Sequence, residues 1–257
     1  MDNSLQPTEQ LFLDLLRDHR FLTTHQLGRL ARHQFGNRRS AKRQTLRHLD
    51  SLREQRLITA LERRVGGWQG GSAVTIWTLT TKGLRLLTGK RTGRIRPHHY
   101  STTFLEHLLA VAEVRVLLEE TTHQTPGLEA LVETEPGCWR TYLGSAGMAT
   151  TLKPDLALGV TTTDFVDYYF IEVDRATENP GRVIRKCWQY ETYRRTGAEQ
   201  KQLGVFPLVV WVVPNLGRAQ QLSQAISTEP KLPGQLFIVI THEHLSSLIR
   251  DGPSPHE

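Results

Sequence analysis

Apolar residues recur at helical spacing from Thr8 to about His19, through Leu11, Phe12, Leu15 and Leu16, which predicts a helix with one buried face. Thr23 or Thr24 can cap a second helix that turns Leu27, Leu30 and Ala31 inward. Phe35-Gly36-Asn37 interrupts the pattern. A third helix is expected from about Arg38 to Gln55, with Leu46, Leu49 and Leu52 on its inner side. Leu57 to Leu61 reads as a short strand and Ala73 to Leu79 as a second. Between them, Arg63 to Gly71 is a basic, glycine-rich loop. Thr80-Thr81-Lys82-Gly83 then leads into a helix carrying Leu84, Leu86 and Leu87.

Further on, a long helix is expected from Ser101 to about Glu120, capped by Thr102 or Thr103. Its stripe is Leu105, Leu108, Leu109, Ala112, Val116 and Leu117. Strands are predicted at Leu128 to Thr134, Asp155 to Val160 and Asp167 to Asp174, with a loop or hairpin over Cys138 to Met148. The strand period of two places Tyr168, Phe170, Glu172 and Asp174 on one face. Asn179 can cap the next helix, with Pro180 at its first position. On that helix Lys186, Gln189, Tyr190 and Tyr193 form one stripe, flanked by Arg182, Arg185, Arg194 and Arg195. Phe206 to Pro214 is an apolar run bounded by prolines, the pattern of a strand buried on both faces. A helix from Leu216 to Ile226, a strand from Gln235 to Ile240 and a helix from His244 to Arg250 complete the chain. The order predicts a mixed α/β protein with boundaries at 1–90, a basic linker at 91–100, and 101–257.

Charge separates the two parts. The chain of 257 residues has a net charge of +6. Residues 1–100 hold 19 Lys+Arg against 7 Asp+Glu, a balance of +12; residues 101–257 hold 13 against 19, a balance of −6. A basic first part is the usual footprint of polyanion binding. No apolar run approaches the ~20 residues that span a bilayer. The first residues lack a basic segment followed by an apolar core, so no secretory signal is expected. Cys138 and Cys187 have no partner at zinc-like spacing and read as reduced thiols of a cytoplasmic protein. His98-His99 reads as solvated linker. In His242-Glu243-His244 the spacing is wrong for two ligands on one helical face. Trp188 and Trp211 are expected in the core. No Walker loop, nucleophile elbow or dinucleotide fingerprint occurs.

The candidate chemistry is concentrated between Leu152 and Tyr193. Glu172 and Asp174, two positions apart at a strand end, point the same way. Like charges that close repel unless a cation lies between them. Oxygen ligands suit magnesium or manganese. Glu106 and Glu113 share a side of the long helix, and either could lean over such a site. In the first part, the outer face of the third helix holds Arg38, Arg39, Lys42, Arg43, Gln44, Arg47 and His48.

Helix, helix, basic helix and two-stranded hairpin, ending in Ile76-Trp77-Thr78-Leu79-Thr80-Thr81-Lys82-Gly83, resembles a winged helix-turn-helix domain over about residues 8–90. The resemblance implies that the Arg38 to Arg47 face enters a major groove of duplex DNA while Arg63 and Arg64 touch backbone. A winged helix used only for protein contacts is the alternative. Pro154-Asp155, Glu172-Val173-Asp174 and Gln189-x-x-x-Tyr193, in that order, resemble the PD-(D/E)XK nuclease core. More closely, the run from the His107 helix through IEVDRAT to RKCWQYETY looks like the replication-relaxation family of mobile-element proteins, over about residues 8–215. That resemblance implies a DNA-binding protein of a plasmid, phage or integrative element, acting in replication or DNA processing, with a core that would act as a metal-dependent endonuclease or nickase. Asp155, Glu172 and Glu113, or less readily Glu106, would hold Mg or Mn. Gln189, Tyr190 and Tyr193 would contact substrate. Asp174 stands where the motif has lysine, and Lys186 could reach the same point to stabilise the charged transition state. The competing expectation is a nuclease-like core without catalysis, serving dimerisation, contact with replication or conjugation proteins, or control of replication or transcription.

Overall fold

The computed structural model describes residues 5–61, 75–90, 100–144 and 147–253, and of Arg38 the backbone only. Arg63, Arg64 and the rest of residues 62–74, residues 91–99 with His98 and His99, and the Arg38 side chain lie outside the described residues. The fold is mixed α/β and divides into two compact units, Met1–Val116 and Leu117–Glu257.

In the first unit, α1 (Pro7–His19) opens on a capping box in which Gln6 N donates to Glu9 Oε2 at 3.0 Å. A short strand β1 (Leu22–Thr23) runs into α2 (Thr24–Leu30), whose cap Thr23 accepts from Gln26 N. After a 3-10 turn, α3 (Arg38–Glu54) starts at Asn37, whose side chain accepts from Arg39 N. Strands β2 (Ile58–Ala60) and β3 (Ile76–Leu79) join β1 in an antiparallel sheet of order β1-β3-β2. Helix α4 (Thr81–Thr88) follows, and the unit boundary falls inside α5 (Thr102–Gln124). Phe12, Leu16, Leu27, Leu49, Leu52 and Trp77 form the core, joined by Ala112 and Val116 of α5.

The junction into α4 has a physical reason. Thr80 Oγ1 accepts from Gly83 N and donates to the carbonyls of Arg56 and Leu57. A Cβ at Gly83 would stand 2.2 Å from the Leu57 carbonyl oxygen, so only glycine lets the helix lie this close to β2.

Helix α3 departs from expectation at two positions. Leu46 is not inward: it is 40% exposed. His48, expected on the basic face, is buried instead. The buried side runs through Ala41, Thr45, His48, Leu49 and Leu52. His48 stacks on Phe35, meets the edge of Phe12 and has Nδ1 3.9 Å from Glu9 Oε1. A polar ring can be inward here because α1 supplies a carboxylate and the core supplies aromatic faces.

In the second unit, strands β4 (Glu129–Thr134), β7 (Leu156–Thr161) and β8 (Val166–Val173) form an antiparallel meander. The hairpin β5 (Arg140–Leu143) and β6 (Ala149–Leu152) stands apart from it. Helices α6 (Pro180–Arg194) and α7 (Ala198–Leu203) carry the chain to β9 (Leu208–Val213), parallel to β8. Helix α8 (Leu216–Ser227) leads to β10 (Phe237–Thr241), parallel to β9, and α9 (His242–Asp251) ends the described chain. The sheet order is β10-β9-β8-β7-β4, so β8 is the central strand. Val183, Cys187, Tyr190 and Tyr193 of α6 pack on Phe170, Val209 and Trp211 of the sheet and on Leu222 of α8. The short α7 and the two-residue β1 carry no periodic signal long enough to read from the chain.

Leu49→Ala is expected to cost about 2–5 kcal/mol, and Leu46→Ala to stay within about 0.5 kcal/mol of wild type, measured by urea unfolding. Gly83→Ala is expected to lower the thermal midpoint although alanine is the better helix former.

Candidate functional site

Two groups of side chains stand out, one in each unit. On α3 the side chains of Arg39, Lys42, Arg43 and Arg47 are exposed and Gln44 is half-buried, donating to Ser40 Oγ at 2.6 Å. The opposite side of the helix is committed to the core, which fixes this face outward. One turn further on, Asp50 pairs with Arg53 and brings a negative charge to the same surface. The positive charge not met by an acid on this face is that of Arg39, Lys42, Arg43 and Arg47.

In the second unit, Asp155 stands just before β7. Its backbone N donates to Ile171 O at 3.1 Å, and its Oδ2 accepts from Val173 N at 2.7 Å, so it closes the end of the β7–β8 ladder. Glu172 lies on β8, opposite Trp211 of β9, and points toward α6. Its Oε1 accepts from the Tyr190 hydroxyl at 2.5 Å and faces Lys186 Nζ at 3.2 Å. Lys186 Nζ also donates to the Lys153 carbonyl at 2.8 Å. The spacing of Lys186 and Tyr190, one turn apart on α6, delivers an ammonium and a hydroxyl to one carboxylate.

Burial shapes the titration of this group. Glu172 is pushed up to about 7, first by desolvation and further by Asp155, while Lys186 and the Tyr190 hydrogen bond hold it down. Burial alone would lower Lys186, but Glu172 and Asp155 outweigh it and the net direction is upward. Tyr190 is raised well above its ordinary value, by desolvation and then by the Glu172 charge. Desolvation, chiefly, pushes both thiols, Cys138 and Cys187, up to about 12, which keeps them protonated and unreactive.

Asp174 goes a different way from Glu172. It follows the last residue of β8, and its carboxylate is held by Arg218 in a bidentate pair, 2.8 Å to Nε and 2.9 Å to Nη2. Both side chains are buried. Arg218 also donates to the Glu178 carbonyl and to Gln221, and Ala176 N donates to Asp174 Oδ2. The two acids expected to need a shared cation thus have separate ones, Lys186 for Glu172 and Arg218 for Asp174. The Asp174 carboxylate is engaged in holding the β8 end to α8, not left facing a substrate. Sequence reasoning misses Arg218, which lies 44 residues from Asp174 in the chain. One signal is present: an arginine in the first turn of a helix opposes the dipole and implies a nearby acid.

Each of the remaining expected site residues has surroundings of its own. Gln189 is exposed. Tyr190 and Tyr193 are buried, and the Tyr193 hydroxyl donates to Glu199 Oε1 at 2.7 Å. Glu199, also buried, is neutralised by Arg140, which reaches on to Glu133 and lies over Phe170. Glu113 lies in the first unit, where Gln26 and Arg29 of α2 both donate to its carboxylate. Glu106 is half-buried on the same helix and belongs to the same unit. Among the described residues, no group of three or more His, Cys, Asp or Glu side chains gathers to hold a metal. Asp155 and Glu172 have already committed one oxygen each, to the Val173 amide and to the Tyr190–Lys186 pair. A magnesium or manganese ion held by Asp155 and Glu172 would have to displace the Tyr190–Lys186 pair from Glu172.

A family model described as replication-relaxation matches residues 13–209. The chain belongs to the replication-relaxation family. No curated protein and no solved structure matches it. Membership suggests a role in replication or DNA processing. The matched span takes in the basic face of α3 and the Asp155–Glu172–Lys186 group, and ends before Arg218. No helix among the described residues is long and apolar enough to cross a membrane.

Asp174→Ala leaves the Arg218 charge buried without its partner and is expected to cost about 3–5 kcal/mol. The pair Asp174→Leu with Arg218→Met should recover much of that, read by denaturant unfolding. Glu172 is a raised acid, so its contribution to stability is full below its unfolded value and is lost as pH rises through about 7. Glu172→Gln should flatten that part of the stability–pH curve. In an NMR titration, Lys186→Met should move the Glu172 midpoint higher still, because the ammonium is the strongest influence holding it down.

Proposed function

We propose that this member of the replication-relaxation family is a duplex-DNA-binding protein of a mobile element, acting in replication or DNA processing. Its first unit is read as a winged helix with α3 as the recognition helix. The observation that carries this is the exposed row Arg39, Lys42, Arg43 and Arg47 on a helix whose other side is locked into the core. Phosphate contacts supply most of such affinity and make it depend on salt. The order α1-β1-α2-α3-β2-β3 with a three-stranded sheet supports the same reading, and Arg63 and Arg64 on the connecting loop belong to it as backbone contacts. The second unit is read as a nuclease-like core whose acids are neutralised internally and which serves self-association or contact with other replication proteins.

A hydrolytic reading of the second unit has one specific observation in its favour. Lys186 Nζ stands 3.2 Å from Glu172, beside Asp155, so the ammonium that Asp174 cannot supply is present in the site. It would require Glu172 to release Lys186 and Tyr190 and take up Mg or Mn.

For DNA binding, the affinity of the full chain for a duplex should fall steeply with salt. Arg43→Ala with Arg47→Ala should weaken it and reduce the log–log salt slope by about 1 for each phosphate that is no longer neutralised. Unchanged affinity and slope would remove α3 from the interface. For hydrolysis, supercoiled plasmid with Mg²⁺ or Mn²⁺ decides: nicking by wild type and none by Asp155→Ala supports the enzyme, and intact plasmid in both supports the non-catalytic core.

A further inference from the structure

The exposed apolar residue on α3 does not fit a helix face built only to meet phosphate. Leu46 is 40% exposed, while Leu49 and Leu52 of the same helix are fully buried. At 3.6 residues per turn, Arg39, Lys42, Arg43 and Asp50 all lie within about 60° of Leu46 around the helix axis, and Arg47 lies at about 100°. Leu46 is thus flanked on its own surface by basic side chains: Lys42 and Arg43 precede it by one turn, Arg39 by two, and Arg47 follows it. A leucine at that place keeps a large part of its apolar surface in water. Polar side chains would serve as well for solubility and better for phosphate.

An apolar group among arginines has a natural counterpart in a major groove. There, guanidinium groups reach phosphates or guanine edges, and the one apolar feature on the base edges is the thymine 5-methyl. One turn beyond Leu46, Asp50 is paired with Arg53 and the surface carries no further net positive charge there, which marks the end of the basic stretch.

We infer that Leu46 is a base-reading residue that packs on a thymine methyl and makes the bound site specific for T at one position of each recognition element. The inference rests on the reading of α3 as the recognition helix. The Arg and Lys residues around it reach phosphates or guanine edges, and Leu46 supplies the recognition of a thymine methyl that a cation cannot.

The test selects duplexes from a random pool with the full-length protein. Each thymine of the consensus is then replaced by uracil, which removes only the methyl group. At one position the replacement should weaken wild-type binding about fourfold, the worth of one buried methyl. The Leu46→Ala protein should bind thymine and uracil duplexes alike at that position while keeping the wild-type salt slope. Salt-dependent binding with no thymine at which uracil matters, or no consensus at all, overturns this inference and leaves duplex binding standing. Equal sensitivity to uracil in wild type and Leu46→Ala also overturns it. Absence of any DNA binding overturns it together with the recognition-helix reading.

Discussion

A central strand buried on both faces cannot carry a carboxylate unless a partner is waiting for it, and β8 carries one and is followed at once by another. Glu172 and Asp174 are each nearly removed from water. The cost of that is offset by two separate cations from two separate helices, Lys186 of α6 and Arg218 of α8. The arrangement ties the strand to both helices that cover its face. It also explains why α6 has the sequence it has. Lys186 and Tyr190 must be one turn apart to converge on Glu172, and Val183 and Cys187 must lie beside them to fill the core. Removing Arg218 would leave the Asp174 charge stranded in low dielectric, whereas removing both members of that pair does not. Losing Lys186 instead drives Glu172 toward its protonated form.

The same logic recurs elsewhere in the second unit. Glu199 is buried, receives the Tyr193 hydroxyl, and is neutralised by Arg140 from the β5–β6 hairpin. Residues that resemble a substrate-facing row along α6 divide into exposed Gln189, half-buried Lys186 and fully interior tyrosines. The stripe is real as helix geometry, but its tyrosines turn toward the sheet.

In the first unit the decisive constraint is the packing of α3. Thr45, His48, Leu49 and Leu52 are buried, so Arg39, Lys42, Arg43, Leu46 and Arg47 are left on the surface. Gly83 and Thr80 let α4 close against β2, and Glu113 fixes α2 through Gln26 and Arg29. Each of these restraints positions the basic helix without taking part in its outward chemistry.

The helices with long apolar periodicity are legible from the chain alone: α1, α3, α5, α6 and α8 stand within a few residues of their expected ends, because helix period and caps are local properties. So are the meander strands, the proline-bounded strand β9 and the family resemblance. Partner choice is not legible. Nothing near Asp174 announces Arg218, and nothing near His48 announces Glu9, since such pairs form between elements far apart in sequence. Composition and periodicity determined where the charges lie along the chain and which elements bear them. Only the tertiary structure decided which are solvated and which are neutralised inside. Burial and distance set the energy of a charge, and both arise when separate elements pack together.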